Sequence, residues 1–142
     1  MATSSLYIVT AVQLWLVACQ ILGRTNASCT FNRGESIPVN FECRVQYGSA
    51  YGRLTFQPDG NLVIYDGSGL AKWSTGTAGR AERAVFQSDG NFVIYDIAEK
   101  AVWNSHTAGK GRILVFQNDR NLVIYDNASK SVWNSKTYVT CK

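Results

Sequence analysis

Apolar and polar positions alternate along three short stretches of this chain. In an extended strand, neighbouring side chains point to opposite faces. From 61 to 65, Asn61, Val63 and Tyr65 therefore share one side, and Leu62 and Ile64 the other. Upstream, Phe56 belongs to the apolar side and Gln57 to the polar side. Asp59-Gly60 stands between two apolar runs and recurs as Asp89-Gly90, a hairpin signal. In a third copy Arg120 replaces the glycine, so that turn must tolerate a side chain. The pattern predicts a hairpin with one greasy face and one face of amides, a carboxylate and a phenol.

The unit recurs at a fixed interval. Gln57, Asp59, Asn61, Val63 and Tyr65 come back as Gln87, Asp89, Asn91, Val93 and Tyr95, and again as Gln117, Asp119, Asn121, Val123 and Tyr125. The motif is thus Q-x-D-x-N-x-V-x-Y in triplicate, with a period of 30 residues shared by Trp73, Trp103 and Trp133. Turn-rich links at 66–69, 96–100 and 126–130 separate each hairpin from its Trp strand. A fixed period sets the architecture before any local reading. One hairpin cannot bury its apolar face alone, but three about an axis can. The tryptophans could be sugar platforms, but one large aromatic per repeat is what a threefold core needs at its centre. The expectation is an all-β domain with pseudo-threefold symmetry. A β-propeller blade needs about 40 residues or more; a β-trefoil also has three repeats, though this unit is short for one.

Composition supports all-β structure: two prolines, twelve glycines, many Val, Ile and aromatic residues, and no long segment of 3.6 period. The apolar run at 6–19 is short for a membrane span of roughly 20 residues and suits a secretory signal peptide over 1–27, although its n-region carries no Lys or Arg. Cleavage is expected after Gly23 or Ala27, leaving 28–142 as one domain of a secreted protein with no membrane insertion. A retained anchor is the competing reading, but nothing downstream uses a membrane. The net charge of +4 is modest, and Lys and Arg form no stripe, so no nucleic-acid partner is expected. Cys29, Cys43 and Cys141 remain after the leader takes Cys19 away, and an odd number leaves the pairing open. Cys141 bonding back to Cys29 or Cys43 would staple the chain ends and is the pairing expected. There is no C-x-x-C and the only histidine is His106, so neither a metal site nor any other cofactor is expected. Asn26-Ala27-Ser28 and Asn127-Ala128-Ser129 are glycosylation sequons.

The polar face of each unit is a dense, mostly neutral set of donors and acceptors. It suits a ligand with adjacent hydroxyls and a small apolar face, such as a pyranose. The rival reading is internal hydrogen bonding between strands. Three copies that hold all five positions while the residues between them vary favour a ligand. Q-x-D-x-N-x-V-x-Y in triplicate resembles the signature of the bulb-type (monocot) mannose-binding lectins, from about Gly34 to the C-terminus. The resemblance implies a β-prism II fold of three four-stranded antiparallel sheets, one metal-independent mannose site per sheet, and mannose-containing glycans as partners. It implies that Asp59 and Asn61 hold the axial 2-hydroxyl, Gln57 the 3-hydroxyl and Tyr65 the 4-hydroxyl, while Val63 packs on the ring, and likewise in the other motifs. It also implies a homodimer formed by exchange of C-terminal strands, for which the tail after Trp133 is long enough.

Three features depart from that family. Its intradomain disulfide uses a cysteine between the Asp and Asn of the first motif, where this chain has Gly60, and 81–85 holds no partner. The segment before the first motif is longer, and Cys141 is unusual. A protein-interaction module, taste-modifying or toxin-like, is the alternative function on the same fold, but its sugar motifs would be decayed and these are intact. A glycosidase needs two carboxylates, roughly 5–10 Å apart, in different environments; each motif offers one, so no enzyme is expected.

Overall fold

Each predicted hairpin forms where the alternation puts it. The computed structural model describes residues 28–140, so the expected leader at 1–27, the sequon at Asn26 and Cys141 lie outside the described residues. Before the first motif come β1 (Cys29–Asn32), β2 (Glu35–Ile37) and β3 (Glu42–Tyr47). The first repeat supplies β4 (Ala50–Phe56), β5 (Leu62–Asp66) and β6 (Ala71–Ser74). The second supplies β7 (Arg83–Phe86), β8 (Phe92–Tyr95) and β9 (Ala101–Asn104), and the third β10 (Ile113–Phe116), β11 (Leu122–Tyr125) and β12 (Ser131–Asn134). Three four-stranded antiparallel sheets result, in the orders β3-β4-β5-β6, β2-β7-β8-β9 and β1-β10-β11-β12. This is the β-prism II architecture. Each repeat provides three strands, and the N-terminal segment hands one edge strand to each sheet.

The core repeats with the motif. Leu54, Ala84 and Leu114, then Phe56, Phe86 and Phe116, then Leu62, Phe92 and Leu122, then Ile64, Ile94 and Ile124 are all fully buried. Burying one such large side chain contributes about 1.5–3 kcal/mol. At the axis the three tryptophans form a triangle, with ring centroids 5.7–5.8 Å apart and interplanar angles of 68–81°. Edge-to-face contact of this kind sets positive ring edges against negative faces. The tryptophans are half-buried and pack against the core.

The sheets meet at three junctions, and a glycine makes each meeting close. A Cβ on Gly60 would lie 2.0 Å from the carbonyl oxygen of Ala81, and one on Gly90 would lie 2.1 Å from that of Gly111. Gly60 therefore touches the segment where the family's disulfide partner would stand, without a disulfide. At the third junction the glycine has changed sides. Arg120 takes the same turn at φ 73°, and its Cγ would stand 2.3 Å from a Cβ on Gly52.

The cysteine expectation needs correction. Cys29 pairs with Cys43, their Cα atoms 6.3 Å apart, and not with Cys141. The bond joins β1 of the third repeat's sheet to β3 of the first repeat's sheet. The N-terminal segment passes from one sheet to the next within 14 residues, which brings the two sulfurs together. Closing a loop of that size in the unfolded chain is worth about 3 kcal/mol in the chain-entropy account. The described tail after β12 adds no strand. It returns to the third motif, where the Val139 N–H donates to the Asp119 carbonyl at 2.9 Å. Within the single chain, β1, β2 and β3 bring all three sheets to four strands.

Candidate functional site

The motif side chains of each repeat gather on the outer side of its sheet, at the hairpin turn. Gln57 N–H donates to the Asn61 carbonyl at 2.9 Å, closing a turn that holds Asp59 at its tip, and Gln87 and Gln117 repeat the bond at 2.8 and 2.9 Å. Further along, the β5–β6 pairing shifts register between Ile64 and Tyr65, and the same irregularity falls at Tyr95 and Tyr125. A bulge re-aims the side chain beside it. Here that side chain is the motif tyrosine.

Within each motif, internal hydrogen bonds occupy one half of every polar group. Asp59 Oδ1 accepts from the Asn61 N–H at 2.9 Å, Asp89 from Asn91 at 2.8 Å and Asp119 from Asn121 at 2.9 Å. The asparagine Oδ1 is taken as well. On Asn61 it accepts from the Thr77 N–H at 3.2 Å and the Thr75 hydroxyl at 3.3 Å. On Asn91 it accepts from the Thr107 N–H and the Ser105 hydroxyl, both at 3.1 Å. On Asn121 it accepts from the Thr137 N–H at 3.3 Å and the Ser135 hydroxyl at 3.1 Å. The glutamine Nε2 donates to the tyrosine oxygen at 2.8 Å in the Gln57–Tyr65 pair and 2.7 Å in Gln117–Tyr125, and the Gln87–Tyr95 pair does the same.

The rival reading of internal bonding therefore holds for part of each side chain, and each keeps further hydrogen-bonding capacity. With Asp Oδ1 and Asn Oδ1 engaged, the groups left over are an Asp Oδ2 acceptor and an Asn Nδ2 donor. Among the described residues, Asn61 and Asn121 give that Nδ2 no partner, while Asn91 Nδ2 reaches Asn104 Oδ1 at 3.4 Å. An acceptor and a donor side by side match one hydroxyl, which both donates and accepts. Because the tyrosine oxygen already accepts from glutamine, its own proton is free to be donated, and the glutamine Oε1 is free to accept. The valines sit differently from expectation. Val63, Val93 and Val123 are only 2–3% exposed, flanked by strands on both sides, so they form a floor under the polar groups and offer little open surface.

Several contributors escaped the sequence reading. Thr75 and Thr77, Ser105 and Thr107, and Ser135 and Thr137 hold the asparagines and bond each other at 2.7–2.8 Å. Thr77 and Thr107 also donate to the Gly60 and Gly90 carbonyls at 2.7 Å. The signal was present as S/T-x-T at the same 30-residue interval. Asp66, Asp96 and Asp126 each accept two backbone N–H groups and fix the link after the tyrosine. The hydroxyl of Ser68, followed by backbone N–H groups, holds the Asp66 carboxyl below its ordinary range. Arg53 lies over the Tyr65 ring and Arg83 over the Tyr95 ring, each 4.7 Å from the centroid. Glu42 steadies Arg53 at 3.2 Å, and Glu99 pairs with Arg83.

The three sites are not identical. Asp59 and Asp89 are exposed, whereas Asp119 is half-buried. Burial pushes the Asp119 carboxyl above its ordinary value, against the opposing pull of the Asn121 N–H. Ile113 stands where the other sheets have Arg53 and Arg83, and Gln117 and Tyr125 open onto a pocket of about 420 Å³.

Solved structures resemble this chain along nearly their whole length. It is similar to a monomeric monocot mannose-binding lectin from Gastrodia elata, 37% identical over 78% of this chain and 98% of that one, with a TM-score of 0.63. It is similar to the mannose-specific bulb lectin of bluebell, Scilla campanulata, 32% identical over 80% of this chain and all of that one, with a TM-score of 0.59. The mannose-specific agglutinin of snowdrop, Galanthus nivalis, is 32% identical over 78% of this chain and 98% of its own, with a TM-score of 0.55. No family model and no curated protein matches the chain.

Proposed function

The chain belongs to the bulb-type (monocot) mannose-binding lectin family, and on that premise we propose that it is a secreted, multivalent lectin for terminal mannose. Carbohydrate binding follows from the family. The finer reading is three sites per chain, made by Gln57, Asp59, Asn61, Val63 and Tyr65 and their equivalents at 87–95 and 117–125, acting without a metal ion and without catalysis. What supports it is the leftover acceptor–donor pair, Asp Oδ2 beside an Asn Nδ2 that has no partner on Asn61 and Asn121 and keeps one of its two N–H groups on Asn91. Asp Oδ2 and Asn Nδ2 together serve the axial 2-hydroxyl of mannose, and glutamine and tyrosine serve the 3- and 4-hydroxyls. Glucose turns the 2-hydroxyl equatorial and leaves that pair unmet, at a cost of roughly 1–3 kcal/mol per unmet group. One carboxylate per motif leaves no second one to divide the work of a glycosidase.

The test is Asp89→Ala. A shallow site of millimolar affinity is worth about −4 kcal/mol, and a hydrogen bond to a charged group about 1.5–3 kcal/mol. The substitution should therefore empty the second site. Titration calorimetry with methyl mannoside should count one site fewer, with the remaining affinities unchanged, because a surface change one repeat away acts independently. Binding should survive a strong chelator and fall for methyl glucoside. An unchanged count would make Asp89 structural only. No heat from the parent chain would favour the protein-interaction alternative.

A further inference from the structure

The third site differs from the others in what borders it. The pocket of about 420 Å³ onto which Gln117 and Tyr125 open is also lined by Ile113, Asn127 and Ser129. Asn127-Ala128-Ser129 is the sequon in the link after β11, and all three residues are exposed. The corresponding links read Gly67-Ser68-Gly69 and Ile97-Ala98-Glu99, so only the third repeat carries an acceptor asparagine there. Asp126 Oδ1 accepts the N–H groups of Ala128 and Lys130, both at 2.9 Å, so Asn127 projects from a fixed turn. Two trans peptides put its Cα no more than about 7.6 Å from that of Tyr125. Where Arg53 and Arg83 cover the tyrosine rings of the other sheets, Ile113 gives this pocket an apolar patch suited to the C–H face of a sugar, beside Arg112 and Asp126.

We infer that Asn127 carries an N-linked glycan and that this glycan closes the third site, leaving the processed chain with two working sites. The donor is a lipid-pyrophosphate oligosaccharide of a eukaryotic secretory lumen. The Asn127 amide nitrogen attacks sugar C1, the N–C1 bond forms and the C1–O bond to phosphate breaks. The lipid pyrophosphate leaves with that electron pair, and the amide gives up one proton. The first sugars then occupy the pocket that a free mannoside needs to reach Gln117 and Tyr125. This inference rests on the proposed lectin function and secretion.

The test uses the full chain secreted from a eukaryotic host, beside Asn127→Gln and Ser129→Gly from the same host. Ser129→Gly abolishes the sequon while suiting the positive φ of 60° at that position. Mass spectrometry of the peptide containing Asn127 should show a glycan in the parent and none in either variant. Calorimetry with methyl mannoside should count two sites in the parent and three in both variants. Adding Asp119→Ala should leave the parent at two and bring Asn127→Gln down from three to two. An unmodified Asn127 in the secreted parent, or three sites with the glycan attached, overturns the inference. Two sites in parent and variants alike overturns it while the lectin reading stands. No mannoside binding by Asn127→Gln overturns both.

Discussion

The second and third repeats carry the same five motif residues and share their bonding except that Asn91 Nδ2 alone reaches the neighbouring Asn104 Oδ1, yet their surroundings differ. In the second, Asp89 is exposed, Gly90 turns at φ 85° against the Gly111 backbone, and Arg83 covers Tyr95. In the third, Asp119 is half-buried, Arg120 takes the glycine's place, and Ile113 replaces the arginine. Gly109 N–H meets the Asp89 carbonyl at 2.7 Å, and Val139 of the tail meets that of Asp119 at 2.9 Å. The third repeat is where the ring of sheets closes on the N-terminal segment. Continuous chain leads from one repeat to the next at the first two junctions, but not at the third. The contact there was built from different residues, and the missing Cβ moved from the turn to Gly52 opposite.

That exchange of glycines predicts the largest difference. Gly90→Ala adds a Cβ against a backbone oxygen that cannot move aside and puts a side chain at positive φ. Overpacking costs about 1–3 kcal/mol and the left-handed backbone about 1–2 kcal/mol, so a loss of about 3 kcal/mol is expected in urea unfolding. Arg120→Gly should change stability by no more than about 1 kcal/mol, since it relieves the same backbone penalty while losing packing. Gly52→Ala should be costly alone and nearly free in the Arg120→Gly chain, a coupling that a double-mutant cycle reads directly. Equal, small costs at Gly90 and Arg120 would erase the distinction between the junctions.

A smaller effect is expected at the arginine that only the first two sites possess. Arg83→Ile makes the second site resemble the third and should cost about 0.5–1 kcal/mol, the size of an exposed cation–π contact. In a Tyr95→Leu background the same change should cost less, because the ring is gone. A loss that ignores Tyr95 would assign the arginine's role to Glu99 instead.

The smallest is a pH effect confined to one carboxyl. Burial raises the Asp119 value in the folded chain above its ordinary 3.8. The folded state then binds this proton more tightly than the unfolded state, so stability falls as pH rises from 3.8 through the raised value. Below 3.8 the penalty is absent. Asp119→Asn removes it, so the stability of that variant relative to the parent should climb with pH across this window and level off above it. A difference that is flat with pH would mean the third carboxyl is no more hindered than a solvated one.

Much of the fold was legible because its cause is local. Period-2 alternation put Leu62 and Ile64 inward, and Asp59-Gly60 made the turn with Gly60 at φ 83°. Arg120 forms the side-chain-tolerant turn that its position required. The burial of Val63 was not legible, since parity assigns a face but not how far neighbouring strands cover it. Thr77 and Thr107 were missed although their spacing announced them, because a hydroxyl beyond a turn reveals its partner only once the strands have paired.

By itself the sequence determined the repeating unit, its two faces and the polar set each unit presents, because alternation and a 30-residue period are properties of neighbouring residues. Only the tertiary structure decided that β1, β2 and β3 complete three different sheets, that Cys29 joins Cys43, and that the third site has a different rim. Those outcomes depend on distant residues meeting. Arg120 lies over Gly52, β1 pairs with β10, and the tail returns to Asp119. No local pattern encodes which segment arrives at the place where a threefold ring closes.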